Sequence, residues 1–203
     1  RDSVEIRAFY DGWSSGFSVT LDFEFIIGTP PRQTIRVENL WNGGYSYPNS
    51  ASFETNALFP KKIKFDTQEK GSLIRVIPTG HGFDNDVNCA EFCPRSYFLK
   101  INQNQEFSSL IWNDQCGFNP IYPQAGTWVY DRANWCPGLA AKIFSHEITP
   151  FINYSDSTEI DLDLENYNWN GTQTPSYYIS SQLFTFSSPN YQTDAELYDI
   201  ISP

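Results

Sequence analysis

The sequence is short of several residues that common active sites need. It has no methionine and only two histidines, His81 and His146, so a metal site built from three or more imidazoles cannot come from this chain alone. It contains no glycine-rich phosphate loop, which disfavours nucleotide chemistry. No run approaches 18 consecutive apolar residues, so we predict no membrane span.

Positive charge is also scarce. Thirteen basic residues against 24 acidic ones leave a net charge of −11, which argues against nucleic acid and anionic membranes as partners. Aromatic residues are abundant at 17% of the 203 residues, and such a load predicts a folded core rather than disorder. We expect one domain over 1–203, with a turn-rich, loosely docked tail at 187–203. The first residue is Arg1, not methionine, and we expect a processed form or a fragment.

Alternating apolar and polar residues predict strands along most of the chain. The clearest is Ser18–Ile27, ended by Gly28-Thr29-Pro30-Pro31, because proline cannot donate to a ladder. Asn42-Gly43-Gly44 reads as a loop, and the segment from Ile111 to Trp135 as an extended loop. Further strands are predicted at Val4–Phe9, Thr34–Leu40, Lys61–Phe65, Ser72–Pro78, Ser96–Asn102, Leu139–Ile148, Glu159–Glu165 (with an acidic outer face) and Tyr177–Phe186.

Short strands at close spacing, with no convincing helix, are typical of an all-β antiparallel sandwich. Eight such strands in two sheets would make a jelly roll. The predicted fold is therefore an eight-stranded antiparallel jelly-roll β-sandwich.

The cysteines number four and raise the question of compartment. An even count in an acidic, aromatic chain predicts disulfides and a secreted, extracellular or periplasmic protein. A zinc site is the alternative, and it is disfavoured because the spacing lacks a second close pair. The four residues are Cys89, Cys93, Cys116 and Cys136.

The cysteines fall on two long loops, 79–94 and 111–137, and long loops in a small β-domain are commonly functional. Glu91 stands between the first two in Cys89-Ala90-Glu91-Phe92-Cys93. If these cysteines pair, its carboxylate sits on a rigid loop and loses little entropy on binding a ligand. The alternative, which spacing alone favours, is an exposed acid on a tight turn.

The second loop concentrates aromatic and charged residues. Trp128, Tyr130, Asp131, Arg132 and Trp135 lie within eight positions. Aromatic faces can stack on sugar rings while charged groups read hydroxyls and amides, so a carbohydrate surface is one interpretation. The other is that the tryptophans cap the end of the sandwich and that the charged pair forms structural ion pairs.

Glycines flank the first histidine in Thr79-Gly80-His81-Gly82. They would let the backbone approach a ligand, or would simply make a flexible loop. Gly80 and His81 are therefore candidate binding residues.

These segments resemble a known family. They are Cys89-Ala90-Glu91-Phe92-Cys93, then Cys116-Gly117-Phe118-Asn119-Pro120, then the run from Asp131 to Gly138 (Asp-Arg-Ala-Asn-Trp-Cys-Pro-Gly). Their order matches that of the corresponding motifs in the peptide-N-glycosidase F family, and their spacing is similar. The stretch from Leu21 to Pro30 also resembles the one that leads into that family's second domain. The likeness runs from about Val4 to about Pro150, with a weaker continuation through the last predicted strand.

The resemblance implies a fold and a chemistry. The family has two eight-stranded jelly rolls side by side, a fold shared with copper-dependent peptidylglycine hydroxylating monooxygenases, and it hydrolyses the glycan–Asn amide of N-glycoproteins without a metal or other cofactor. Its pairing carries over as Cys89–Cys93 and Cys116–Cys136. Catalytic roles fall on Glu91 and Arg132, and binding roles on Trp135, with His81 and Gly80 in the sugar-facing wall.

The sequence departs from the family at that wall and in its extent. Thr79-Gly80-His81-Gly82-Phe83 stands where the family has Ser-Gly-Trp-Gly-His, so the imidazole and the aromatic ring are exchanged. The family's principal catalytic aspartate lies in its first jelly roll, and we expect that role to fall outside this chain. Two hypotheses follow: the C-terminal jelly roll of a glycoamidase that acts with a companion domain, or a non-catalytic glycan-binding or extracellular assembly module.

Overall fold

Eight strands, paired antiparallel throughout, build the molecule in a computed structural model, which describes residues 20–46, 57–84, 89–119, 126–166 and 175–193. They are β1 Arg32–Ser46, β2 Lys61–Lys64, β3 Gly71–His81, β4 Arg95–Ile101, β5 Gln105–Ile111, β6 Phe144–Glu147, β7 Ser157–Leu164 and β8 Ser176–Pro189. Two 3-10 turns, Cys116–Phe118 and Thr149–Phe151, flank β6. Within the described ranges no helix is long and apolar enough to cross a membrane.

The strands form two sheets of four. Sheet 1 has the order β1-β8-β3-β6, and sheet 2 has the order β2-β7-β4-β5. Except in the β4–β5 hairpin, neighbouring strands come from distant parts of the sequence, so most pairings join residues far apart along the chain. The predicted all-β antiparallel fold with eight strands in two sheets is confirmed; the jelly-roll description of its connectivity stays a prediction.

The core lies between the two sheets and is made of the inward residues of the alternating strands. Ile74 on β3, Leu99 on β4, Ile160 and Leu162 on β7 and Leu183 on β8 are all fully buried. Because successive side chains of a strand point to opposite faces, each apolar residue of these patterns reaches the same interior. The alternation seen in the sequence therefore placed this part of the core correctly.

The strand predicted at Ser18–Ile27 is wrong for residues 20–27, which form no strand, while 18 and 19 lie outside the described ranges. Its apolar side chains are exposed, with Phe25 at 88% and Ile27 at 100% of their accessible surface. Alternation shows that one face of a segment is apolar, but it cannot show that a neighbouring strand is there to pair with it. The strand predicted at Val4–Phe9 lies outside the described residues.

Three other predictions need correction. Asn42-Gly43-Gly44 is not a loop but part of β1, where a register shift follows Asn39. The strand β5 was missed, since Ser108 and Ser109 interrupt its apolar pattern. Only four residues of Leu139–Ile148 form a strand.

The outer face of β7 is less exposed than its acidic sequence predicts. Asp161 retains only 8% of its accessible surface. The Gln103 side chain donates to its Oδ2 atom at 3.1 Å, and the neighbouring strand places Lys100 opposite it. Long polar side chains thus cover the carboxylate, and its burial raises its pKa.

The residues that follow β8 are hydrogen-bonded to the segment just before β1. β8 includes residues 187–189, and Asn190 donates its backbone N–H to the Pro31 carbonyl at 2.8 Å. Tyr191 donates its hydroxyl to the Thr29 carbonyl at 2.9 Å. Residues 194–203 lie outside the described ranges.

Candidate functional site

Two disulfides shape the loops at one end of the sandwich. Cys89 pairs with Cys93, and Cys116 pairs with Cys136. The first closes a five-residue loop around Glu91, and the second anchors the chain directly after Trp135. All four thiols are used in these bonds, which contradicts the zinc alternative for the cysteines.

Backbone hydrogen bonds join these loops to the end of β3. Ala90 and Glu91 both donate to the Gly82 carbonyl, at 3.0 and 3.1 Å. Ala133 donates to the Glu91 carbonyl at 2.8 Å, and Gly80 donates to the Ala133 carbonyl at 3.1 Å. The loop that carries Glu91 is therefore held between β3 and the segment that carries Arg132.

Gly80 is where this packing is tightest. A Cβ atom at this position would lie 2.3 Å from the Ala90 carbonyl oxygen and 2.6 Å from the Ala133 side chain. The Gly80 carbonyl also accepts the Trp135 indole N–H at 2.8 Å. No larger residue fits here. The close packing at Gly80 places the loops that carry Glu91 and Trp135 against the end of β3, next to His81.

Asn134 forms the turn between Arg132 and Trp135. It adopts a left-handed conformation with φ of 59°, which asparagine tolerates better than most residues. Its buried side chain donates to the Pro78 carbonyl at 2.8 Å and to the Lys142 carbonyl at 3.0 Å. The turn lets Arg132 and Trp135 face the same side.

Glu91 and Arg132 form a salt bridge at the centre of the cluster. Arg132 Nη1 lies 3.2 Å from Glu91 Oε1, and the two side chains keep 3% and 20% of their accessible surface. Glu91 Oε2 accepts the Gly82 backbone N–H at 3.3 Å. The glutamate is thus fixed through both oxygens yet still reaches the surface.

The arginine is almost entirely enclosed. Its Nε donates to the Tyr130 carbonyl at 3.2 Å and its Nη2 to the Thr127 carbonyl. Its guanidinium lies 5.0 Å from the centre of the Phe92 ring and 4.5 Å from that of Trp135. Burial lowers the pKa of Arg132 while Glu91 raises it, and an arginine stays charged under either influence.

His81 completes the site next to Trp135. Its ring stacks on Trp135 with centroids 5.2 Å apart and meets Tyr178 edge-on at 5.1 Å. Thr79 Oγ1 lies 2.9 Å from its Nε2. Burial, and then the positive charge of Arg132, lower the pKa of His81, so the imidazole is neutral at pH 7.

The structure therefore brings together all five binding and catalytic candidates: Gly80, His81, Glu91, Arg132 and Trp135. Sequence reasoning did not single out Phe92 or Tyr178. The signal for Phe92 was its place beside Glu91 in the cysteine loop. Tyr178 carried none, because its neighbour His81 lies on another strand almost one hundred residues earlier.

Trp128, by contrast, is buried and keeps only 6% of its accessible surface. This agrees with the interpretation that Trp128 caps the end of the sandwich and does not bind a sugar. Within the described ranges no three His, Cys, Asp or Glu side chains are grouped so that they could hold a metal ion.

Comparison with known proteins identifies the family. The sequence model described as "Peptide-N-glycosidase F, C terminal" matches residues 46–184. This chain belongs to the peptide-N-glycosidase F C-terminal family. The matched range contains both disulfides and all five candidate residues of the site.

Individual relatives agree with the family match. The chain is 26% identical over 192 residues to peptide-N(4)-(N-acetyl-beta-D-glucosaminyl)asparagine amidase F of Elizabethkingia miricola. The alignment covers 89% of this chain and 53% of that protein. The chain thus spans about half the length of this curated relative.

Solved structures show the same relationship. PNGase F, a glycosylasparaginase from Flavobacterium meningosepticum, superposes with a TM-score of 0.66 at 26% identity, covering 80% of this chain and 55% of that one. PNGF-II superposes with a TM-score of 0.58 at 15% identity, covering 75% of this chain and 30% of that one. The second likeness shows a shared fold only.

Proposed function

We propose that this chain supplies the C-terminal half of the active site of an enzyme that hydrolyses the amide between an N-glycan and asparagine. One observation carries the proposal: the Glu91–Arg132 salt bridge, 3.2 Å long, sits beside Trp135 on loops held by two disulfides. The region matched by the glycosidase family includes all of these residues.

Glu91 is the group proposed to act on the substrate. Amide hydrolysis needs a group that activates or positions water, together with a donor that stabilises the developing charge. The Glu91 carboxylate is held from one side by Arg132 and from the other by Gly82, and its exposed edge is free to hold a water molecule or a sugar amide. Both restraints reduce the entropy that ligand binding would cost.

Arg132 is proposed as a positioning residue. Each of its three nitrogens already donates to a group of this chain, and only 2% of the residue is exposed. It therefore acts through Glu91, whose orientation it sets, and through Trp135, whose indole ring it supports. Trp135 and His81 are proposed to face the sugar.

A single carboxylate makes a weak amidase. We propose that a companion jelly-roll domain provides the second acid, since the chain spans about half of a relative that is named as an amidase. The proposed substrates are N-glycoproteins. The two disulfides favour an oxidising, extracellular or periplasmic location.

The test is a glycan-release assay with the full-length protein and a denatured N-glycoprotein. We expect Glu91→Gln to lower kcat/KM by a factor of about 100 or more, since the carboxylate is lost while the shape is kept. Glu38→Gln is the matched control, because Glu38 also pairs with an arginine, at 3.1 Å from Arg36, but lies on β1 far from the site.

Two outcomes would contradict the proposal. Release that is unaffected by Glu91→Gln would remove Glu91 from the mechanism. Saturable glycan binding with no release by the wild-type protein would instead support the alternative, a non-catalytic glycan-binding module.

A further inference from the structure

A group of partly exposed aromatic rings lies next to the Glu91–Arg132 pair. We define it as the aromatic cluster of Phe83, Phe92 and Tyr130. The Phe92 ring meets Phe83 edge-on at 6.0 Å and Tyr130 edge-on at 6.4 Å between centroids. Phe83 and Tyr130 keep 47% and 59% of their accessible surface. Two large aromatic side chains are thus exposed near the carboxylate that is proposed to act on the substrate.

The aromatic cluster is continuous with the candidate site through Phe92 and Arg132. Phe92 directly follows Glu91 in the five-residue disulfide loop, and its ring lies 5.0 Å from the Arg132 guanidinium. The Tyr130 carbonyl accepts the Arg132 Nε–H at 3.2 Å. A ligand that reaches the Glu91 carboxylate therefore comes close to these rings.

The backbone of each cluster residue is held in place. Phe83 forms an isolated antiparallel bridge with Cys89, and Phe92 lies inside the disulfide loop that Cys89 begins. Tyr130 donates its N–H to the Thr127 carbonyl at 3.0 Å. Aromatic rings on a fixed backbone lose little conformational entropy when a ligand packs on them. They are typical anchors for an apolar side chain of a binding partner.

The substrate of the proposed reaction has two parts that meet at the cleaved amide. The sugar lies on one side of that bond, and on the other side the asparagine continues into the polypeptide in both directions. Because consecutive Cα atoms are only about 3.8 Å apart, the residues next to this asparagine stay close to Glu91 when the amide is placed there. Trp135 and His81 are proposed to face the sugar, which leaves the aromatic cluster for the peptide.

We propose that the aromatic cluster binds the polypeptide of the glycoprotein substrate by packing against an apolar or aromatic side chain directly next to the glycosylated asparagine. Its rings carry no charge, and their contact with a ligand is stabilised mainly by the burial of apolar surface, so an apolar neighbour is favoured over a charged one. This inference rests on the proposed function, because it places the cleaved amide at Glu91.

Two pairs of synthetic glycopeptides test the proposal, one pair for each neighbour of the asparagine. All carry the same β-1,4-linked N-acetylglucosamine disaccharide on asparagine, and the members of a pair differ only in having phenylalanine or serine at the tested position. Isothermal titration of the full-length Glu91→Gln protein gives each Kd without hydrolysis. We expect the phenylalanine peptide of at least one pair to bind about 3- to 10-fold more tightly than its serine partner.

Variants in the same background assign this preference to the aromatic cluster. Tyr130→Ser and Phe83→Ser should remove most of the preference and leave the Kd of the serine peptides and of the free disaccharide unchanged. Tyr130→Phe keeps the ring and should keep the preference. Phe59→Ser is the matched control, since Phe59 is 58% exposed and lies just before β2, outside the cluster.

Equal binding of the phenylalanine and serine peptides in both pairs would overturn the proposal. So would a Tyr130→Ser variant that weakens the disaccharide and all peptides by the same factor, because Tyr130 would then only support Arg132. Glycan release from the same peptides by the wild-type protein is measured separately. Preference without release keeps the peptide site and removes the amidase, whereas release without preference removes only the peptide site.

Discussion

Arg132 is a buried cation that contributes to the site through its neighbours, because almost none of its own surface is exposed to a ligand. It is enclosed between Phe92 and Trp135, and its nitrogens bind two carbonyls and one carboxylate. Such an arrangement compensates the loss of hydration that burial imposes on a charge. Arg132 therefore connects the two disulfide-bonded loops, and its salt bridge fixes the position of the Glu91 carboxylate.

His146 is a second buried residue whose charge state matters, in this case for stability. It keeps 9% of its accessible surface, and its Nε2 lies 2.6 Å from the Tyr97 hydroxyl. Burial lowers the pKa of His146 and raises the pKa of Tyr97 to about 12. Both side chains are therefore neutral near pH 7, and they form an uncharged pair between the two sheets.

We predict that the free energy of unfolding falls as the pH falls below about 6.5, the value of an unfolded histidine. In that range the unfolded chain binds a proton that the folded His146 resists, so acid favours unfolding, by at most about 1.4 kcal/mol per pH unit for one group. Urea unfolding at pH 7.5 and 5.5 measures the change.

Since the pKa of His81 is also lowered by burial, the two histidines must be separated. His146→Gln should reduce the pH dependence, and His81→Gln, the control, should retain the part that belongs to His146. Equal stability at both pH values in the wild-type protein would contradict the prediction.

Single residues of the site were predictable where the sequence places them beside rare neighbours. Glu91 between two cysteines and Arg132 shortly before Trp135 and Cys136 are local signals. Phe92, Tyr178 and the carbonyls that bind Arg132 were not, because their roles depend on contacts between loops and strands that are far apart in sequence. The geometry of a site assembled across two sheets is a tertiary property.

At the scale of elements, the buried carboxylate of Glu69 connects two neighbouring strands of sheet 1, β1 and β8. Glu69 keeps 2% of its accessible surface and accepts hydrogen bonds from Arg36 on β1 at 2.9 Å and from Thr185 on β8 at 2.7 Å. Arg36 also donates to the Lys64 carbonyl at 3.4 Å, at the end of β2. The cluster thus joins the edge of sheet 1 to sheet 2.

We predict that Glu69→Ala lowers the free energy of unfolding by about 3 kcal/mol, because it removes the buried acceptor shared by the Arg36 guanidinium, the Thr185 hydroxyl and the Asp66 backbone N–H. Glu38→Ala is the control. It removes the other carboxylate paired with Arg36, but that side chain is 40% exposed and should contribute less than about 1 kcal/mol. Chemical denaturation of both variants gives the comparison, and equal losses would contradict a special role for the buried cluster.

Strands were predictable from alternation where a partner strand was available. β3, β4, β7 and β8 follow their patterns closely because their inward residues form the core. Residues 20–27 show the same pattern and form no strand, and β5 forms although serines interrupt its apolar residues. Pairing depends on which strands lie alongside, and a single segment of sequence contains no information about its neighbours.

At the scale of the whole molecule, two observations favour a companion domain that packs against this one: the exposed segment 20–27 and the greater length of the relatives. The segment precedes the region 46–184 that matches the C-terminal family, and the chain covers 53% of a curated relative. Its apolar side chains, Leu21, Phe23, Phe25 and Ile27, are half to fully exposed. We propose that the companion jelly roll covers this segment in the full-length protein.

The proposal predicts that one substitution has different effects in two forms of the protein. Phe25→Ala should leave the stability of the 203-residue chain unchanged, because the ring is 88% exposed, but should destabilise the full-length protein by about 3 kcal/mol, the usual cost of removing a buried phenylalanine. Phe118→Ala is the control, since Phe118 is 84% exposed and lies in a turn within the family-matched region.

Thermal unfolding of both forms, each with and without the substitution, measures the difference. If Phe25→Ala has the same small effect in both, the segment lies on the outer surface of the full-length protein and the companion domain docks elsewhere. If it destabilises only the full-length form, the alternation in residues 20–27 belongs to an interface that the C-terminal domain alone cannot complete.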